Sequence, residues 1–184
     1  MLNAEFARDL VFTAVLFGLV TFMWAGWAQE RPPAGVVWRV VLGALSAGGL
    51  ALLGLGLLPL IRSWGGPTAL VSGSTALIIY IVVFWLEVAV IAGLAIFYAR
   101  TARQHLLAPT VLIVVGTHFA PLSFVFEQPI MLLAAVLITA AGVVSLFLPR
   151  QVAAPSFWCG ILAAPVFLVL GTVSLVAGQG ALGG

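Results

Sequence analysis

Along this chain, long apolar stretches alternate with short polar or Pro/Gly-rich breaks. The apolar runs cover about 10–28, 36–61, 76–98, 107–126, 130–148 and 157–176. Each is long enough, at about 17–25 residues, to cross the hydrocarbon layer of a bilayer as a helix. The breaks read as turns. QERPPA (Gln29–Ala34) holds a Pro pair that a helix interior does not tolerate, and RSWGGPTALVSGS (Arg62–Ser74) is rich in Gly and Ser. Ala99–His105 is polar and basic, Glu127-Gln128-Pro129 is a very short joint with Pro at a first helical position, and RQVAAPS (Arg150–Ser156) separates the last two runs. The expected fold is all-α, a polytopic transmembrane helical bundle with six membrane-spanning helices forming a single integral membrane domain over 1–184. The N-terminal run has no clear basic segment and no small-residue cleavage site, so it is expected to be a retained first helix. The Gly-rich tail is expected to fray.

Composition agrees. The chain is 64% hydrophobic and only 7% charged, where a soluble domain carries about 25% charged residues. Its mean hydropathy is +1.28. A net charge of +2 is too small and too scattered for nucleic acid, which needs clustered positive charge. The lipid bilayer is the expected surrounding, and the cell membrane the expected location. Arginine placement suggests the orientation. Arg31, Arg39, Arg100, Arg103 and Arg150 fall on one side, and Arg8 and Arg62 on the other. The positive-inside rule puts the Arg-rich side in the cytoplasm and both termini on the non-cytoplasmic side. Trp24, Trp27, Trp38, Tyr98 and Trp158 sit at helix ends on the Arg-rich side, as an aromatic belt would.

Two stripes of small residues carry a packing signal. Gly43, Ala47 and Ala51 are spaced four apart in the second run, as are Ala89 and Gly93 in the third. This spacing lets backbones approach closely where no hydrophobic force drives helices together. The stripes can serve packing inside the bundle or a homo-oligomer face. Gly49–Arg62 loosely echoes Gly142–Arg150, as inverted halves would, but in so biased a composition the echo carries little.

Candidate chemistry rests on two residues. Glu87 and His118 each fall near the middle of an apolar run, where an ionisable group costs roughly 2.5–3.5 kcal/mol to insert. Their helices are consecutive and antiparallel, so the two are expected at one depth and facing each other inside the bundle. Tyr80 and Phe84 share the face of Glu87 by the i, i+3, i+4 rule, with Trp85 nearby. A carboxylate among aromatic rings can hold a cation by charge and by cation–π attraction. On the fourth run, Pro121 removes the backbone donor that would reach Thr117, so a kink is expected beside His118. The plainer reading is that Glu87 and His118 only satisfy each other and fix the bundle.

The phrase GTHFAPL resembles a Gly-x-His-Phe-x-Pro-Leu stretch of small, uncharacterised bacterial multi-span membrane proteins, matched by Gly116, His118, Phe119, Pro121 and Leu122. The resemblance implies no activity. Other chemistries lack their residues. Zinc needs three or four ligands and only Glu87 and His118 share a depth, while the single Cys159 lies near the start of the sixth run. A second axial histidine for haem would have to be His105, which is in a loop. Ser74 precedes the third helix, far from a midplane histidine, and no phosphate-binding glycine pattern occurs. No cofactor is expected.

Two functions remain in play: a transporter of a small molecule or ion, proton-coupled through Glu87 and His118, and a non-catalytic scaffold or assembly subunit that binds other membrane helices. A membrane enzyme ranks third. The orientation has a direct test. Cysteine placed at Gln128 is expected to react with an impermeant thiol reagent from outside intact cells, and reaction only after lysis would invert the orientation.

Overall fold

The computed structural model describes residues 2–183, and among these it is all-helical. Six helices are long and apolar enough to span a membrane: α1 (Ala7–Trp27), α2 (Val36–Arg62), α3 (Thr75–Arg100), α4 (Leu107–Val125), α5 (Pro129–Phe147) and α6 (Pro155–Gly183). Local chemistry sets their ends. Ser74 caps α3, its hydroxyl accepting from the Leu77 amide at 3.1 Å, and Pro129 opens α5 where its missing amide costs nothing. Gly35 turns the chain into α2 with φ +107°, a backbone conformation open to glycine without strain.

α1 is the hub, packed along α6 on one side and α2 on another, while α4 and α5 form a close hairpin. Phe17 on α1 meets Phe119 of α4 and Phe167 of α6 edge-on at 5.4 and 5.2 Å, tying three helices at mid-depth. Elsewhere backbones nearly touch. A Cβ on either Gly18 or Gly49 would stand 2.7 Å from the other's carbonyl oxygen, and one on Gly116 would collide with the Thr139 backbone. α6 stays helical through the Gly-rich tail that the sequence suggests should fray. Gly178 lets it lie on the start of α1, against Ala7 and Val11.

The small-residue stripes lie elsewhere than inside the bundle. Gly43, Ala47 and Ala51 are exposed on the outer face of α2, whose inner face is Leu42, Gly49, Leu52, Gly56 and Leu60. Ala89 and Gly93 are likewise exposed, and nothing comes within 4 Å of a Cβ built on Gly43 or Gly93. The four-residue spacing marks a row but not which way the row turns.

Polar contacts close both ends of the bundle. At one end the Ser156 hydroxyl bonds Glu30, Arg31 donates to the Arg150 carbonyl at 2.6 Å, and the Ala154 amide donates to the Arg31 carbonyl at 2.8 Å. At the other, Gln128 donates to the Asn3 carbonyl at 2.7 Å and accepts from the Asn3 amide at 3.1 Å. Gln128 is 0% exposed, so the thiol-labelling position in the α4–α5 joint must be the exposed Glu127 instead.

The α4–α5 contact predicts an asymmetry between glycines. Gly116→Ala is expected to lower stability by about 1–3 kcal/mol, because rigid backbone must move, while Gly43→Ala leaves it unchanged. Unfolding in mixed micelles measures both. Equal stability of the two variants would mean that the helices part without cost.

Candidate functional site

α3 is the least embedded helix. It packs on α4 and on the turn that leads into α4, it makes at most marginal contact with α1, and only Tyr98 along it is buried. The space left between α1 and α3, floored by α4, is a cavity of about 670 Å³.

Glu87 of α3 and His118 of α4 meet in this cavity, with Glu87 Oε1 3.2 Å from His118 Nδ1. Their side chains are 15% and 16% exposed, so both reach the cavity surface. The separation is that of an ion pair, yet His118 Nδ1 is buried without an aligned hydrogen bond. The two groups are close without being hydrogen-bonded, since a hydrogen bond needs direction as well as distance. The imidazole also rests against the Phe119 ring, centroids 4.3 Å apart.

The remaining wall is apolar. Tyr80 and Phe84 line it beside Glu87, their rings stacked at 6.5 Å with 17° between planes. Three of the residues singled out in the sequence do not line it. Trp85 is exposed on the outer side of α3, against the edge of Phe84. Thr117 points outward and donates to the Val114 carbonyl at 3.0 Å. Pro121 lies within α4 and does not line the cavity.

The α1 wall was not visible in the sequence. Phe12, Leu16, Phe17, Val20, Trp24 and Trp27 face α3 and α4 at helical spacing, but every side of α1 is apolar and none stands out. Asp9 was also missed. Adjacent to Arg8 at a helix end it reads as an interfacial flank, yet it is 1% exposed. Its Oδ2 accepts from the Thr68 hydroxyl at 3.1 Å and the Ala69 amide at 2.8 Å, while Oδ1 lies 3.3 Å from Arg8 Nε. Arg8 in turn donates to the Trp64 carbonyl at 2.9 Å and sits over the Trp64 ring. This cluster pins the α2–α3 connection to the start of α1 and so sets where α3 begins relative to the cavity.

Among the described residues, no group of three or more His, Cys, Asp or Glu side chains could hold a metal ion. No family model, curated protein or solved structure matches the chain.

Loss of the Asp9 anchor should loosen the connection it holds. Asp9→Ala removes two hydrogen bonds to a carboxylate acceptor, each worth about 1.5–3 kcal/mol, and leaves the half-buried Ala69 amide without its partner. Hydrogen exchange across residues 65–74 is expected to speed up at least about tenfold, with a smaller change in Thr68→Val, where the Ala69 bond survives. Exchange at the wild-type rate in Asp9→Ala would show that the loop is held by apolar packing alone.

Proposed function

We propose that this membrane protein is a small permease-like transporter in which Glu87 and His118 exchange a proton in step with a solute. One observation carries the reading: the Glu87–His118 pair opens onto a cavity near the middle of α3 and α4. A pair that served only to bind α3 to α4 would be better sealed, since water or solute beside it weakens the attraction. Both members can take up or release a proton, and at 3.2 Å a small rotation of either side chain would align them to pass one. Tyr80 and Phe84 complete the solute path on the α3 side. In this reading the Arg-rich loops face the cytoplasm and both termini lie outside, by the positive-inside rule.

The scaffold reading is favoured by a different observation. The outward small-residue rows, Gly43/Ala47/Ala51 and Ala89/Gly93, are free to meet helices of another chain or a second copy. The two readings are compatible on separate faces, but only the first uses the cavity.

Glu87→Gln separates them. Gln keeps the shape and one hydrogen-bonding oxygen, so stability should change by about 1 kcal/mol or less. Proton movement, followed with a pH-sensitive dye inside reconstituted vesicles across a panel of solutes, should fall to background. Flux that survives in the Gln variant removes Glu87 from the mechanism, and no flux in either protein shifts the weight to the scaffold.

A further inference from the structure

The cavity also narrows what the solute can be, if it is a transport site as proposed above. Among its lining residues only Tyr80, Glu87 and His118 titrate, and none is Arg or Lys. With His118 neutral, the site carries a single negative charge once Glu87 has lost its proton, and no fixed positive one. A carboxylate or phosphate amphiphile would meet like charge here with nothing to balance it. A bare metal cation is no better served. It needs several oxygen ligands, and the wall offers three at most, one carboxylate, one phenol and the Thr13 hydroxyl, the last 1% exposed.

Aromatic rings supply the rest. Tyr80 and Phe84 are stacked on the α3 side, and Trp24 and Trp27 are stacked on the α1 side with centroids 5.3 Å apart. A cation over such faces gains about 2 kcal/mol once desolvated. The volume, about 670 Å³, is that of a site for a molecule with a sizeable apolar body, within the roughly 300–1,000 Å³ of small-molecule pockets.

The opening shows the route. Leu16 and Met23 of α1 and Phe84 of α3 line the cavity yet are 39%, 59% and 44% exposed. Leu16 and Phe84 lie in the middle parts of their helices, and Met23 lies one turn from the end of α1, along a stretch where α1 and α3 do not pack. The mouth therefore faces the hydrocarbon layer rather than an aqueous surface.

We propose that the cavity binds a lipophilic monovalent cation that arrives sideways from the bilayer between α1 and α3 and displaces one proton from Glu87. The step balances. The O–H bond of the Glu87 carboxyl breaks, its proton leaves to water directly or by way of His118, and the bound cation becomes the counter-charge of the carboxylate. No titratable side chain from α1 or α5 faces the pair, so the exchange involves Glu87 and His118 with Tyr80 alongside.

The probe is tetraphenylphosphonium, compared with tetraphenylborate, which has nearly the same shape and the opposite charge. Calorimetric titration of the purified full chain, in two buffers of different ionisation enthalpy, reads affinity and proton release together. Phosphonium should bind at least about tenfold more tightly than borate and release up to one proton. Its affinity should rise by up to about tenfold per pH unit while Glu87 is protonated. Glu87→Gln should lose the charge preference and the proton release, and Glu87→Asp should keep both. Leu16→Trp, narrowing the mouth, should slow phosphonium association several-fold.

Equal binding of the two ions, or none of phosphonium, overturns the cation assignment even if Glu87-dependent proton flux is found with another solute. Unchanged association in Leu16→Trp overturns the sideways route. Phosphonium binding with proton release but no flux would leave the ligand class standing and sink the transport reading.

Discussion

A charged side chain in the middle of a bilayer needs a partner, and α3 has one neighbour to provide it. Glu87 to His118 is the one polar side-chain contact between α3 and α4 among the described residues. The arrangement of the site follows. α3 lies where Glu87 reaches α4 and stands apart from α1, and the gap between them is the cavity. Apolar packing would have allowed α3 to settle anywhere around the bundle, since lipid tails and leucines are equally good neighbours.

The other five helices obey a different economy. They hold together where backbones come close, at Gly18 with Gly49 and at Gly116 with Thr139, and where polar groups knot the ends. Glu30 with Ser156 and Arg31 with Arg150 tie one face, while Asp9 with Thr68 and Asn3 with Gln128 tie the other. α3 stands outside the close-packed set, attached at its start through the Asp9-anchored loop and along its length through α4. A rigid scaffold beside a loosely seated helix is an arrangement in which a cavity can change width without disturbing the core.

Much of this was legible in the chain, for a simple reason. In a sequence with 7% charged residues, each break and each buried charge stands out, so the six spans and the Glu87–His118 pair could be placed by counting. What depended on azimuth was hidden. On a helix apolar all round, nothing marks the side that faces inward, which concealed the α1 wall and left the direction of the Gly43/Ala47/Ala51 row open. Trp85 and Thr117, neighbours in sequence of Phe84 and His118, turn away from the cavity, because one residue along a helix is about 100° around it. Asp9 was hidden by its position at a helix end, where a charge is ordinarily solvated. Its burial depends on a loop some 60 residues downstream, a separation that no local pattern records.

The central place of α1 has a consequence for how the protein is made. Its principal partner, α6, is the last of the six described helices, and the Glu30–Ser156 link spans 126 residues. At synthesis rates of about 5–20 residues per second, the first helix waits on the order of ten seconds for the surface it was shaped to meet. Through that interval the face of α1 that α6 will cover must rest on lipid or on the helices made before α6. Among the six described helices, the order of assembly is thus the reverse of the order of importance: the hub is made before the others and gains its main partner after them.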